Sequence, residues 1–313
     1  MKALRISTAV LLGLTAYAFI GQRTVTMAVI SKAAGGDQPC PFTAMLRLPW
    51  TEQDLNNRQE EILKGLVVER EDSAFGIELL RTGGRAFWIK KAGSHLPGKE
   101  LLAFVLAEQD WIASHTPQDT VQAGDVVVDV GAHVGTFDDD ALRRGASRVI
   151  LVEPDPVNVE CIRRNFEKEI ADGRVLVVPE GAWSSESVLE FSVGLNNSGS
   201  GSFVYEESGA KKIRVPVRPL DDMLAKLEIR KVNFIKMDIE GAEREALKGA
   251  RETLKHSKPV LMLDWYHLVD DPVVLPRLIQ DLNPSYRLAT CNLCSPDSAD
   301  GRVRIVPHVV FYR

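Results

Sequence analysis

Three acidic residues stand at the ends of short β-branched runs, each directly before a turn or a helix start. Asp129 lies in VVVDVGAHVG, Glu153 in VILVEPDP and Asp238 in FIKMDIEGAE. Parallel strands that end in such residues place their carboxylates along one edge of a sheet, where doubly wound α/β domains bind nucleotide-like ligands. The sequence therefore predicts a cofactor site rimmed by these three carboxylates.

The turn that follows Asp129 contains Gly131, His133 and Gly135. Gly131 permits a sharp turn because glycine adopts positive φ at little cost, and Gly135 allows the next helix to approach a ligand or the sheet closely. A dinucleotide-binding turn reads G-x-G-x-x-G and would need glycine at the positions of His133 and Thr136. The turn therefore does not indicate a pyrophosphate site, and we interpret His133 as a turn residue beside the ligand.

The spacing of the acids favours a ligand that carries a ribose but no phosphate. Glu153 follows Asp129 at close to the separation of about 20 residues at which such domains place the acid that binds ribose hydroxyls. S-Adenosylmethionine is such a ligand, and its sulfonium and ammonium groups are complementary to a crevice rimmed by Asp129, Glu153 and Asp238. We therefore predict S-adenosylmethionine as the cofactor.

Alternating strand and helix patterns position these residues from residue 125 onward. Strands are predicted at 126–130, 148–153, 174–179, 233–237 and 259–263, and helices at 134–144 and 241–256. This alternation predicts a mostly parallel sheet with helices on both faces. Asp138, Asp139 and Asp140 fall in the first turns of one helix, where acids favoured by the helix dipole are expected to face water.

The N-terminal part, residues 1–30, contains an uncharged run at 6–22 that follows Lys2 and Arg5. Its length is at the low end of the roughly 17–25 residues that span a bilayer. Three interpretations stay open: an uncleaved membrane anchor, a cleaved export signal, or an apolar helix held against the membrane or the domain. We favour membrane association and expect the catalytic domain on the cytoplasmic side, because S-adenosylmethionine is made inside cells.

Two further parts complete the predicted organisation. Residues 31–98 read as a linker, a helix that begins at Thr51, and a hairpin around Gly83 and Gly84. Residues 99–313 read as the main domain, and its tail is expected to close the sheet with an antiparallel pair of strands.

The composition is that of a folded protein without a basic surface. The 313 residues are 45% hydrophobic and 26% charged, with a net charge of -5, so nucleic acid is not an expected partner. The four cysteines do not resemble a disulfide framework. Cys291 and Cys294 form a lone CxxC without a second pair, which we interpret as two ordinary thiols rather than a zinc site.

Longer stretches resemble a known family. DVGAHVGTF, VEPDPVNVECIRRNF, FIKMDIEGAEREALKGARETL and PVLMLDWYH are similar to the FkbM family of S-adenosylmethionine-dependent methyltransferases, over roughly residues 99–290. DIEGAE is the most specific part. The resemblance implies a Rossmann-like class I methyltransferase fold, α/β with a mostly parallel seven-stranded sheet. It also implies methyl transfer to a hydroxyl of a small molecule or sugar.

The resemblance assigns roles to individual residues. Residues that match the family's cofactor motifs are Asp129, Gly131, Gly135 and Glu153. His133 replaces the usual asparagine. Asp238 and Glu240 match acids beside the transfer site, and a glutamate–histidine pair of the family corresponds to Asp264 and His267 with altered spacing.

Methyl transfer to a hydroxyl needs alignment of three atoms and a group that takes the proton. Asp238, which also rims the cofactor crevice, is the first candidate for the base or for a substrate-orienting residue. His267 is the second, because neutral imidazole accepts protons near pH 7. Asp238, Glu240, Asp264 and His267 offer ligands for a magnesium-like ion, but we assign no metal.

Two other functions remain alternatives at this point: an NAD(P)-dependent oxidoreductase on the same kind of sheet, and an inactive, membrane-tethered binding module on a methyltransferase scaffold. The predicted partner is a small-molecule or saccharide acceptor. Its pocket is expected to be built from residues 41–120 and from the polar insertion at 181–215.

Overall fold

The computed structural model describes residues 23–35, 40–91, 97–195, 197–297 and 304–313. The uncharged run at 6–22 lies outside these ranges. Among the helices that are described, none has both the length and the apolar character needed to cross a membrane. Residues 23–30, the end of the predicted N-terminal segment, belong to helix α1 (Arg23–Ala33), which buries Val25 and Ala28 against the domain.

A seven-stranded sheet forms the centre of the main domain. In chain order its strands are β4 (Val126–Val130), β5 (Arg148–Val152), β6 (Val175–Val178), β10 (Phe234–Met237), β11 (Val260–Asp264), β12 (Leu288–Asp297) and β13 (Arg304–Tyr312). They lie in the order β12-β13-β11-β10-β4-β5-β6, and only β13 runs antiparallel to its neighbours. The predicted mostly parallel sheet, its five predicted parallel strands and the closing antiparallel pair are confirmed.

The sheet has an apolar core on each face, because successive residues of a strand point to opposite sides. Val128 and Val130 of β4 pack on one face, and Val127 packs on the other. Helices cover both faces: α3 (Gly98–His115), α4 (Thr136–Arg143), α5 (Pro156–Asn165), α6 (Glu167–Ala171), α7 (Leu220–Lys226), α8 (Glu243–Lys248), α9 (Arg251–His256) and α10 (Asp271–Leu282).

Two predicted helices differ from the structure. The single helix predicted at 241–256 is two short helices, α8 and α9, with Gly249 at the break, where a Cβ would lie 2.1 Å from the carbonyl oxygen of Trp183. The helix predicted to begin at Thr51 is α2 (Phe42–Gly65). The Thr51 hydroxyl donates to the Arg47 carbonyl inside this helix and does not cap it.

A small antiparallel sheet packs beside the main domain. It consists of β1 (Val67–Asp72), β2 (Ile77–Thr82) and β3 (Arg85–Lys90), and the predicted hairpin around Gly83 and Gly84 joins β2 to β3. Asn165 at the end of α5 accepts from the Trp88 amide and donates to the Trp88 carbonyl. These bonds attach the extension to a helix of the cofactor half of the sheet.

The polar insertion forms a third sheet over the carboxyl ends of the main strands. It contains β7 (Gly181–Ala182), β8 (Ser187–Ser192) and β9 (Lys212–Arg218), in the order β7-β9-β8. The Ser202 hydroxyl donates to the Glu240 carbonyl and so joins the insertion to the turn after β10.

The cysteine prediction was wrong for one pair. Cys294 is bonded to Cys40, which lies 254 residues earlier in the chain, whereas Cys161 and Cys291 are free. The bond lies in an apolar cluster with Met45 and Ile305. It fixes the segment between α1 and α2 to the outer strand β12.

We expect Cys40→Ser to lower the free energy of unfolding by about 2–4 kcal/mol, because a cross-link over a long loop restricts the unfolded chain. Urea unfolding with and without dithiothreitol checks this. The wild type should lose stability on reduction, and Cys40→Ser should be insensitive to it. Cys291→Ser is the matched control on the same strand and should keep the response. Equal wild-type midpoints in the two buffers would contradict the prediction.

Candidate active site

A cavity opens at the carboxyl ends of β4, β5, β10 and β11, where the strand order reverses between β4 and β10. About 1260 Å³ of empty space lies within it and its mouth. Its walls include Asp129, Gly131, His133, Glu153 and Asp238 from the predicted site, together with Glu240 and Asp264. Crevices at such reversals are where open α/β sheets bind ligands.

Glu153, directly after β5, is held by backbone donors. Its Oε2 accepts from the His133 amide at 2.8 Å, and its Oε1 accepts from the Asp155 amide at 2.9 Å. Burial, and then the charge of Asp155, raise the pKa of Glu153 to about 8. The carboxyl group is therefore fixed at the cavity wall, with acceptor capacity left for hydroxyl donors.

His133 adopts a left-handed backbone conformation with φ +53°. Its Nε2 lies 2.7 Å from the Ser198 hydroxyl, which belongs to the insertion. Burial, and then the nearby Lys236 charge, lower the pKa of His133 to about 4, so the ring is neutral. His133 thus joins the turn after β4 to the insertion.

The two glycines of the turn make room for protein atoms. A Cβ on Gly131 would lie 2.0 Å from the carbonyl oxygen of Asp238, and one on Gly135 would lie 2.2 Å from a ring carbon of Phe166. Both residues have positive φ. Gly131 lines the cavity and permits the close approach of the β4 and β10 ends, whereas Gly135 packs against Phe166 behind the turn.

A buried ion pair connects the two central strands. Lys236 of β10 is the cross-strand neighbour of Asp129 on β4, and its Nζ donates to Asp129 Oδ1 at 3.1 Å. Burial lowers the pKa of Lys236, but the charges of Asp129, Asp238 and Asp264 outweigh it and raise the pKa overall. Asp129 therefore faces the cavity already paired with a cation.

The expectation that Asp138 faces water was wrong. Its side chain is fully buried, because its position on α4 points inward toward Asp129. Burial, and then the Asp129 charge, raise the pKa of Asp138 well above its usual range. Asp139 and Asp140 pair with arginines: Asp139 with Arg85 and Arg143, and Asp140 with Arg144.

Asp238 and Glu240 lie in the turn between β10 and α8. Glu240 has φ +53° and Gly241 has φ +94°, which folds the turn back toward the cavity. Non-glycine residues in this conformation are uncommon and cluster at functional sites. Burial, and then the charge of Asp238, raise the pKa of Glu240 to about 7, although His267 acts in the opposite direction.

His267 is the second predicted catalytic residue, and it pairs with Glu243. Its Nδ1 lies 3.0 Å from Glu243 Oε1, which also accepts the Ile239 amide. Asp264, the other residue that the family resemblance matched to this region, ends β11 and lines the cavity. Burial lowers the pKa of His267, but the hydrogen bond and charge of Glu243, with Asp238 and Glu240, raise it to about 9.

Three residues of the site were missed from the sequence. Glu108 on α3 faces the cavity, and burial together with Asp238 raises its pKa to about 7. Glu243 orients His267, and Ser198 binds His133. The third acid of DIEGAE was a usable signal for Glu243, whereas α3 and the insertion carry no motif.

The strand order, with its single antiparallel strand next to the edge, defines a Rossmann-like class I methyltransferase fold. The acid-rimmed cavity at the strand ends is in the position of the cofactor site of such folds. Residues 129–281 match the family model described as the methyltransferase FkbM domain. The chain therefore contains a domain of the FkbM methyltransferase family.

Similar proteins carry methyltransferase names. The chain is 28% identical over 156 residues to the methyltransferase sdnD of Sordaria araneosa. This alignment covers 40% of this chain and 60% of sdnD. It is 25% identical over 174 residues to the hexuronic acid methyltransferase AglP of Haloferax volcanii. This alignment covers 56% of this chain and 69% of AglP. The match thus spans less than two thirds of sdnD. A structure of methyltransferase FkbM from Methylobacillus flagellatus KT aligns with a TM-score of 0.45 and 18% identity. The alignment covers 82% of this chain and 58% of that chain.

We expect Lys236→Met to destabilise the fold by about 3–5 kcal/mol, because it leaves buried Asp129 without its cation. Urea unfolding of Lys236→Met, Asp129→Leu and the double variant measures the coupling between the two residues. The double variant should lose less stability than the sum of the single variants. Additive losses would show that the two side chains are not energetically coupled.

Proposed function

We propose that the chain is an S-adenosylmethionine-dependent O-methyltransferase that acts on a hydroxyl group of a small molecule or sugar. The observation that carries this proposal is the carboxylate-rimmed cavity at the reversal of strand order. Glu153 lies on one side of it, and Asp238 and Glu240 lie on the other. The buried His267 lies next to these two acids, with its Nε2 3.6 Å from each. The Glu153 side of the cavity can bind the ribose of the donor, and the opposite side can bind the acceptor hydroxyl that loses its proton.

The donor half is supported by the chemistry of the walls. Glu153 is positioned to accept hydrogen bonds from the two ribose hydroxyls, and Asp155 and Asn158 lie beside it. Acidic groups outnumber the single buried cation, Lys236, among the described cavity residues. A sulfonium donor with a positive charge is favoured in such a field, whereas a pyrophosphate is repelled.

The acceptor half accounts for the methyl-transfer step. The acceptor oxygen attacks the methyl carbon in line with the sulfur, so that an O–C bond forms as the C–S bond breaks. The C–S electron pair stays on sulfur and gives S-adenosylhomocysteine. Asp238 is the proposed group that takes the hydroxyl proton or orients the hydroxyl, with His267 beside it at 3.6 Å from Asp238 Oδ1.

The acceptor class rests on the walls around this half. Phe191, Asn197 and Phe203 of the insertion and Phe104 of α3 line the cavity. Aromatic faces together with amide and carboxyl groups suit a ring that carries several hydroxyls. AglP is named a hexuronic acid methyltransferase, and we propose a sugar or a similar polyhydroxyl compound for this chain.

Donor affinity should depend on pH through Glu153. Its pKa of about 8 in the free protein means that it is protonated below that pH, whereas ribose hydroxyls bind the carboxylate. The dissociation constant for S-adenosylhomocysteine should therefore rise by up to about tenfold per pH unit as the pH falls below 8. Titration calorimetry between pH 6 and about 9 tests this. The Glu153→Gln variant should bind S-adenosylhomocysteine more weakly, and the pH dependence of its dissociation constant should lack the contribution of Glu153. An affinity equal to that of the wild type would exclude Glu153 as a ribose-binding residue.

Turnover should depend on Asp238. We expect Asp238→Asn to lower kcat by about 10²–10⁴-fold, because an amide does not accept the hydroxyl proton, while S-adenosylhomocysteine still binds. Transfer of labelled methyl to a panel of hexuronic acids and hydroxylated small molecules measures this. Asp222→Asn, an exposed acid on α7, is the matched control. Donor binding without transfer to any hydroxyl compound would contradict O-methylation.

A further inference from the structure

Asp238, Glu240 and His267 converge on one point at the acceptor side of the cavity. One ligand atom from each residue lies within 4.8 Å of the other two. The His267 Nε2 is 3.6 Å from Asp238 Oδ1 and 3.6 Å from Glu240 Oε2. An octahedral ion about 2.1 Å from each ligand would separate neighbouring ligand atoms by about 3 Å and opposite ones by about 4 Å. The three atoms are therefore close to the spacing that one ion requires.

The His267 ring is fixed in the orientation of a metal ligand. Its side chain is only 3% exposed, and its Nε2 has no hydrogen-bond partner among the described residues. Nδ1 is bound to Glu243, whose side chain is 1% exposed and is itself held by the Ile239 amide. Histidine ligands of metals usually bind a carboxylate through their other nitrogen in this way, which directs the free nitrogen at the metal.

An ion pair alone does not explain this geometry. The two carboxylate oxygens lie beyond hydrogen-bond distance of Nε2, and both side chains remain partly open to the cavity, at 38% exposed for Asp238 and 27% for Glu240. All three groups face the space between them. The turn that carries the two acids is held by Glu243 and Ser202, and Glu243 also orients His267, so one buried carboxylate positions all three groups.

We propose that Asp238, Glu240 and His267 bind a divalent cation that accepts mixed nitrogen and oxygen ligands, such as Mn²⁺. One imidazole and two carboxylates suit this class better than Ca²⁺, which takes oxygen ligands alone. From the sequence these three residues and Asp264 were possible ligands of a magnesium-like ion, but no metal was assigned. The parallel pairing of β10 with β11 brings them together.

The cation would act on the acceptor, and this role rests on the proposed function. Three protein ligands leave coordination positions open for one or two acceptor oxygens. A coordinated hydroxyl releases its proton more readily, because the cation stabilises the alkoxide. Asp238 then orients the hydroxyl through the cation, and the proton leaves to water or to another cavity carboxylate. The alkoxide oxygen is the nucleophile for the methyl group. The site thus favours acceptors with adjacent oxygens, such as vicinal diols or hydroxy acids.

Binding of Mn²⁺ alone to the chelator-treated full chain tests the site without turnover. Bound Mn²⁺ is measured as the decrease of the free Mn²⁺ signal in electron paramagnetic resonance. The titration should show one bound Mn²⁺ per chain. Glu240→Gln and His267→Gln should weaken it at least about tenfold, and Glu243→Gln by about 10–100-fold through loss of ring orientation. His256→Gln is the matched control, because His256 pairs with Glu252 on an exposed helix surface, and it should bind as the wild type does.

A spectroscopic signature makes the test independent of how the variants fold. Electron spin echo modulation of the wild-type Mn²⁺ complex should show coupling to an imidazole nitrogen, and the His256→Gln protein should show the same. Absence of nitrogen coupling would overturn the proposal. Mn²⁺ binding that His267→Gln leaves unchanged would also overturn it, since the carboxylates would then be acting alone.

Donor binding separates this proposal from the function on which it rests. S-Adenosylhomocysteine affinity, measured on the same samples with and without Mn²⁺, depends on Glu153 at the other end of the cavity. Donor binding without Mn²⁺ binding would sink the metal site and leave the methyltransferase proposal intact. Mn²⁺ binding with nitrogen coupling but without donor binding would do the reverse.

Discussion

The ion pair between Lys236 and Asp129 is the constraint on which the arrangement of the site depends. It joins β10 to β4 across the reversal of strand order, at the base of the cavity. Asp138 of α4 lies beside Asp129 of this pair, so the pair stands where two strands and a helix meet. Because both side chains are almost completely enclosed, removing either partner leaves the other charge poorly hydrated and without its nearest counter-ion.

This ion pair also helps to explain why several carboxyl groups can lie close together in one cavity. Lys236 compensates Asp129, while burial and mutual repulsion raise the pKa values of Asp264, Glu108 and Glu153. Some of these groups therefore hold protons at neutral pH in the free protein. A cationic ligand reverses the balance, since it favours the ionised forms. Binding of a cationic ligand should thus release protons from the cavity. The carboxyl groups that are partly neutral in the free protein become ionised and attract the cation.

The local patterns predicted the sheet and the rim of the site because they act over short stretches. The β-branched run ending in Asp129 could only be a buried strand, and parallel strands bring their ends to one edge. Asp129, Glu153 and Asp238 were therefore placed correctly at one cavity. The closing pair of strands followed from the same reasoning.

Contacts that depend on packing between distant segments were not predictable in this way. Whether Asp138 faces water or Asp129 is decided by the rotation of α4 on the sheet, which the sequence of one helix turn does not fix. The partner of His267 is decided by how α8 lies under the loop after β11. Cys40 and Cys294 meet because β12 is the outermost strand, and no local spacing reports that.

The bond between Cys40 and Cys294 has a mechanical consequence. Tension that enters the chain from its N-terminal side reaches β12 through two sulfur atoms, so α2 and the small three-stranded sheet are spared the load. In a compartment rich in glutathione the two thiols would separate. The same tension would then pass through α2 and the small three-stranded sheet to α5, to which Asn165 joins that sheet.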